Sequence, residues 1–377
     1  MWKIPLFDVS FGNEEIEAVS NVLKSGWLSM GPITQEFENQ LSSFLDSKYC
    51  FAVSNGTAAL HLAHVALGIG CDDEVICPSL TFVAGVNAIN YTGATPVFAD
   101  VESTNNFCIS PKDIENRITM KTKAIQVMHF AGYSCDMDSI MKIASKHDLF
   151  VIEDSAHSIG GMYKEKKCGT IGDIGCFSFF SNKNLSIGEG GLIVTDNEYI
   201  EKKIKRLRSH GMTSLTWDRM QGNNFSYDVT EKGYNYRLNE ISSAIGIVQL
   251  KKIIDYNNKR KALVQYYKKK LSDCFFIEIP FNVFSEKSSF HIFPVLLDHD
   301  LNRNQFMLYL KNNGIQTSIH YPPVHTFTAY KQFNNDFLPI TSEIGNREVT
   351  LPLYPEMKTD DIDYIVQTIK KFMEEIK

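Results

Sequence analysis

Several signatures that would assign this chain early are missing from it. Its eight cysteines, at 50, 71, 77, 108, 135, 168, 176 and 274, include no Cys-x-x-Cys pair and none has zinc-like spacing from histidine. No metal centre is therefore expected, and in a chain of 377 residues these thiols read as small buried side chains of a reducing compartment. No apolar run approaches the roughly 20 residues needed to span a bilayer, and Met1-Trp2-Lys3-Ile4-Pro5-Leu6 opens no signal-peptide core. Positive charge is not in excess. The formal net charge is −6, against a nucleic-acid partner. The run Lys202, Lys203, Lys205, Arg206 and Arg208 reads as the solvated face of a helix. A Gly-Lys-Ser/Thr phosphate loop and a G-x-G-x-x-G dinucleotide fingerprint are both absent, which argues against P-loop enzymes and nicotinamide dehydrogenases. With no repeat and no low-complexity segment either, the expectation is a soluble, cytoplasmic globular protein.

What is present is alternation. Short apolar runs at 50–53, 74–77, 96–99, 124–128, 149–153, 175–179 and 192–195 read as strands. Helical periodicity lies between several of them, at 58–67 and 137–147. Such alternation predicts an α/β fold with a mostly parallel seven-stranded sheet between helices, and ligands bind such sheets beyond the carboxyl ends of the strands. Beyond Thr195 the pattern turns helical, at 241–254 and 258–270, then mixes a strand at 290–297 with a final amphipathic helix at 361–376. The chain is too long for one core. It is expected to divide into a large domain at 1–251 and a smaller C-terminal α/β domain at 252–377, with the extreme N-terminus packing near the latter.

Three constellations follow strands. Ser54-Asn55-Gly56-Thr57-Ala58-Ala59-Leu60 places Gly56 and Thr57 where a helix begins, so its free N–H groups and dipole can hold an anion. An ordinary capped helix after a tight turn fits equally well. In Val151-Ile152-Glu153-Asp154-Ser155-Ala156-His157, Asp154 ends an apolar strand. A carboxylate buried there needs a cationic partner, for which a protonated pyridine nitrogen serves, although Asp also caps turns. His157, taken alone, reads more readily as a core histidine. In Phe177-Ser178-Phe179-Phe180-Ser181-Asn182-Lys183-Asn184-Leu185, one lysine follows a buried strand. A lysine that forms a Schiff base must be desolvated enough to lose its proton near neutral pH, and this position suits it. Without its surroundings it would read as a surface lysine.

Together these blocks resemble the DegT-type sugar-nucleotide aminotransferases, a family of fold type I pyridoxal 5′-phosphate (PLP) enzymes. The similarity runs almost end to end. It includes Ser25-Gly26-Trp27 with Gly31-Pro32, Pro78-Ser79-Leu80-Thr81-Phe82-Val83-Ala84, Gly233-Tyr234-Asn235-Tyr236-Arg237-Leu238-Asn239 and His320-Tyr321-Pro322-Pro323-Val324-His325. The resemblance implies that Lys183 is the Schiff-base lysine and proton carrier, and that Asp154 pairs with the pyridine nitrogen. It further implies that His157 faces the ring oxygen, Phe82 stacks on the ring, and Gly56, Thr57 and Ser178 hold the phosphate. Asn235 would reach the phosphate of the neighbouring subunit, so that a homodimer shares its active sites.

The same resemblance implies a nucleotide-linked keto sugar as amino acceptor and L-glutamate as donor. On the substrate side the candidates are Trp27, Arg219, His320, Tyr321 and His325, each of which also suits packing or a surface ion pair. Lys183 stands where dehydratase relatives carry histidine, which disfavours their chemistry. A free cyclic ketone such as an inosose, and a non-catalytic scaffold of the same fold, are the alternatives.

Overall fold

The computed structural model describes residues 2–214, 222, 226–282, 287–333 and 337–375. Its centre is a sheet of seven strands: β1 (Tyr49–Val53), β2 (Glu74–Pro78), β3 (Thr95–Ala99), β4 (Thr122–Met128), β5 (Phe150–Asp154), β6 (Ile174–Ser178) and β7 (Gly191–Thr195). In space they run β1-β7-β6-β5-β4-β2-β3, and only β7 is antiparallel to its neighbours. These are the seven apolar runs of the sequence, shifted by at most about two residues. Their near-continuous burial reflects helices on both faces. One face holds a core that includes Leu62, Val86, Ile89 and Ile204, and the other includes Ile125, Ile140 and Tyr267.

A second, antiparallel sheet joins β8 (Ile277–Glu278), β9 (Phe293–Leu297) and β10 (Glu348–Leu351). The N-terminal segment lies against this part of the chain: Ile4 bridges to Ile315, and the Leu353 N–H donates to the Leu6 carbonyl. The helix Glu240–Lys270 passes without a break through residues 251 and 252, where the two parts were expected to meet.

Four local expectations need correction. Residues 241–254 and 258–270 form one helix of 31 residues, because Asn257 between them is a buried contact and not a break. The strand expected from 290 begins at Phe293, since Phe290 has φ 49° and cannot extend a strand. In the basic run, Arg208 is buried against Glu38 and the Ala52 carbonyl. Cys71 is exposed, whereas the other seven thiols are buried. Among the described residues no helix is long and apolar enough to cross a membrane.

Candidate active site

The carboxyl ends of β1, β5 and β6 open onto a cavity of about 600 Å³. Lys183, Asp154, His157, Ser178, Gly56 and Thr57 all border it, as do Phe82, His320 and Tyr321. The sheet explains the convergence. Asp154 is the last residue of β5, in register with Met128 of β4 and Cys176 of β6. Lys183 lies in the turn after β6, where its N–H donates to the Phe180 carbonyl.

The electrostatics of the pair are unusual for surface groups and suited to a dry site. Burial pulls the Lys183 ammonium down to about 8, with Asp154 opposing the shift. Asp154 is pushed up by burial, which the Ala156 N–H and Lys183 only partly offset. The one hydrogen bond to its carboxylate among the described residues comes from that N–H, to Oδ1 at 3.1 Å. A buried carboxylate with so little compensation calls for a cation in the cavity. Its neighbour Glu153 differs. Burial alone would raise its pKa, but His129 at 2.8 Å and the N–H groups of Gly169, Ile171 and Gly172 bring it down. Glu153 is a finished structural group; Asp154 is not.

At the other end of the cavity the helix Gly56–Ala66 begins. Asn55 caps it through Ala58 N at 2.8 Å, which leaves the Gly56 and Thr57 N–H groups without acceptors among the described residues. A Cβ on Gly56 would stand 2.9 Å from the Ser178 Cβ, so glycine brings these amides against the end of β6. Free amides, a helix dipole and a hydroxyl make an anion cradle. Phe82 precedes the helix Val83–Tyr91 and keeps 54% of its surface exposed, its ring 5.7 Å from that of Tyr321. A flat, phosphorylated, cationic ring fits each of these features.

Not every expected residue gathers there. Asn235 is exposed and does not border the cavity of its own chain. His325 is buried against Ser79, Nδ1 to Oγ 2.7 Å, away from the lining. Trp27 packs beside Gly31, where an added Cβ would come within 2.6 Å of its indole nitrogen. Arg219 lies outside the described residues.

Sequence reasoning also passed over residues that hold the site. Asn184 donates to Asn257 Oδ1 at 2.8 Å and to the Ser289 carbonyl at 2.7 Å, and its own Oδ1 lies 2.9 Å from His291 Nδ1. This network fixes the turn that carries Lys183. Its one sequence signal was an asparagine beside the lysine. His61 and Tyr236, joined at 3.2 Å, border the cavity on the cradle side; Tyr236 stood in a family-like block without a role of its own, and His61 had no signal at all.

With this geometry in place, comparison with known proteins decides the family. The model of the DegT/DnrJ/EryC1/StrS aminotransferase family matches residues 9–370. The chain belongs to that family. Its members are PLP-dependent, and so is this enzyme. The spore coat polysaccharide biosynthesis protein SpsC of Bacillus subtilis is 39% identical over 95% of this chain and 94% of its own. GDP-perosamine synthase of Escherichia coli O157:H7 is 37% identical over 98% of both. Among solved structures, PseC of Helicobacter pylori, an aminotransferase involved in pseudoaminic acid biosynthesis, superposes with a TM-score of 0.92. It is 30% identical, and the match covers 99% of each chain.

Proposed function

We propose that this DegT-family enzyme aminates the keto carbon of a nucleotide-linked deoxysugar, at the 3 or 4 position, with L-glutamate as donor. The product would supply cell-surface polysaccharide or glycoconjugate synthesis. The observation that carries the chemistry is that Lys183 and Asp154 border one cavity, the first with its pKa brought down by burial and the second with its pKa pushed up by burial. The substrate class draws its support from the names of the relatives, two of which concern spore coat polysaccharide and a GDP-linked amino sugar.

PLP, when bound, supplies a carbonyl for an amine and a ring that accepts electrons from the carbon losing its proton. The residues do the rest. Asp154 keeps the ring nitrogen protonated, because a buried carboxylate and a cation stabilise one another. Gly56, Thr57 and Ser178 hold the phosphate through amides and a hydroxyl, and Phe82 covers the ring. Lys183 would be the residue that holds the cofactor's aldehyde. Its Nζ, whose pKa burial brings down to about 8, could lose its proton near neutral pH and so would serve to carry a proton between the donor carbon and the cofactor. The same proton-carrying role would serve the keto sugar in the opposite direction. His157, paired with Tyr321 at 2.9 Å, would face the ring oxygen. Asn235, turned outward here, serves the phosphate of a partner in a homodimer.

The test has two parts. Purified protein should be yellow, and borohydride should fix the cofactor to Lys183, located by peptide mass mapping. A panel of UDP-, dTDP- and GDP-linked keto sugars should then return the aminated cofactor to its PLP spectrum with one member preferred, and steady-state kinetics should be ping-pong. A colourless protein that takes up no PLP rejects the reading.

A further inference from the structure

His320 borders the active-site cavity with Lys183 and Asp154, and its ring is held from behind by two residues that do not line that cavity. Its Nδ1 lies 2.9 Å from Thr350 Oγ1, and Thr350 Oγ1 lies 2.5 Å from Glu348 Oε1. The other carboxyl oxygen, Glu348 Oε2, accepts the His320 N–H at 2.8 Å. All three side chains are buried. His320 and Thr350 also share a void of about 20 Å³, room for a single water. His320 Nε2 makes no hydrogen bond among the described residues.

While His320 is neutral and both bonds are kept, the three groups can be ordered in two ways. Because Oε2 faces a backbone donor, a proton on Glu348 sits on Oε1 and points at Thr350 Oγ1. The hydroxyl then gives its own hydrogen to His320 Nδ1. A neutral imidazole that accepts at Nδ1 carries its proton on Nε2. Once Glu348 is ionised, every bond reverses. Thr350 donates to Oε1 and accepts from Nδ1–H, and Nε2 is left as a bare acceptor. The two states differ by one proton. It leaves from Nε2, while the Glu348 proton passes to Thr350 and the Thr350 proton to Nδ1.

The surroundings decide which group titrates. His320 stays neutral, since burial first and then the charge of Lys183 bring its pKa down to about 3. Burial raises Glu348 to about 8, against the opposing effects of Thr350, the His320 N–H and Arg303. Arg303, from the helix Arg303–Asn312, also donates to the Glu348 carbonyl at 3.3 Å. On the other side the charge of Glu348 bears on Tyr321, whose ring lies 4.9 Å from that of His320. The paired strand β9 is Phe293-Pro294-Val295-Leu296-Leu297 and adds no charge. We propose that Glu348 and Thr350 are positioning residues that set the role of His320 in the active-site cavity: Nε2 donates a hydrogen bond while Glu348 holds its proton and accepts one when that proton is gone. Near neutral pH the donating state prevails, and every oxygen of a keto sugar can accept from it. That last step, the sugar as acceptor, rests on the functional reading above.

Nitrogen NMR of the full-length protein as purified, isotopically labelled at its histidines, reads the tautomer directly. His320 is assigned by its absence from His320→Gln. Across the ionisation of Glu348, with a midpoint near 8, the unprotonated signal should pass from Nδ1 to Nε2. Lys183 titrates in the same range and can shift both signals, but it cannot exchange them. In Glu348→Gln the amide must accept from the His320 N–H and donate to Thr350, which locks His320 in the donating form at every pH. Thr350→Val should uncouple the tautomer from pH, and Thr350→Ser should restore the coupling. A wild-type tautomer that ignores pH, or one that still exchanges in Glu348→Gln, overturns the relay. In kinetics, the KM for the keto sugar should rise about 10-fold above that midpoint in the wild type and stay flat in Glu348→Gln. An equal rise in both would overturn the sugar as acceptor. The NMR result needs neither cofactor nor sugar, so failure of the wild type to bind PLP would reject the functional reading alone.

Discussion

Lys183 shows how far one side chain can be at odds with stability. Its folded pKa is about 8 against an ordinary 10.5, so the folded protein binds fewer protons than the unfolded chain between those values. Stability therefore rises with pH through that window, and below it the lysine is a cost. In cofactor-free protein, Lys183→Met should raise the unfolding free energy at pH 7 by about 1–3 kcal/mol. By pH 11 the two proteins should converge, since the lysine is then neutral in both states. Denaturant titrations at the two pH values measure this, and a gap that ignores pH rejects a desolvated lysine. The same substitution should lower turnover by at least ~10³-fold, because among the described residues no other amine borders the cavity. Asp154 belongs to the same logic: its raised pKa marks a group waiting for a cation, and its environment was visible in the sequence as the end of an apolar run.

At the scale of elements, the turn from β1 into the helix Gly56–Ala66 is the sharpest case of backbone serving chemistry. Gly56 lets the first amides approach Ser178, and Asn55 satisfies a deeper N–H so that the outer ones remain free. Gly56→Ala should weaken PLP at least about 10-fold, since the Cβ must push β6 and the helix apart. Pyridoxal, which lacks the phosphate, should bind the variant and the wild type equally; parallel losses for both ligands would mean that the cradle does not hold the phosphate. Elements of this kind were legible beforehand. Seven strands could be read because each is a buried apolar run between helical periods, and the helix Met137–His147 because Ile140, Ile143 and Ala144 share a face. The helix Glu240–Lys270 was misread for an equally physical reason. Asp255-Tyr256-Asn257-Asn258 looks like solvent-facing polarity, but the Asn257 side chain bonds Asn184 and the Ile159 carbonyl. Polarity that is satisfied by a distant segment cannot be told from exposure in a single sequence.

Over the whole molecule, the contacts that hold the site join parts of the chain no local pattern connects. Asn184 meets Asn257 across 73 residues and His291 across 107, and Tyr321 meets His157 across 164. Residues that face outward are harder still, because a single sequence carries no sign of what they meet. Asn235 is exposed and off its own cavity, while Tyr236 beside it borders that cavity and the Tyr236 carbonyl accepts from Ser54 N. The loop is thus anchored at the mouth of one site with Asn235 directed away from it, an arrangement suited to reaching a second copy. If it does so, a chain defective at Lys183 still lends its Asn235, and a chain defective at Asn235 still lends its Lys183. Mixing Lys183→Ala with Asn235→Ala protein, each poorly active at limiting PLP, should generate one intact site per mixed dimer. With random exchange that restores roughly a quarter of wild-type activity. Subunit exchange is verified separately, by native mass spectrometry of differently tagged chains. Exchange without recovery would place Asn235 outside the partner's site and leave each cavity to be completed by its own chain.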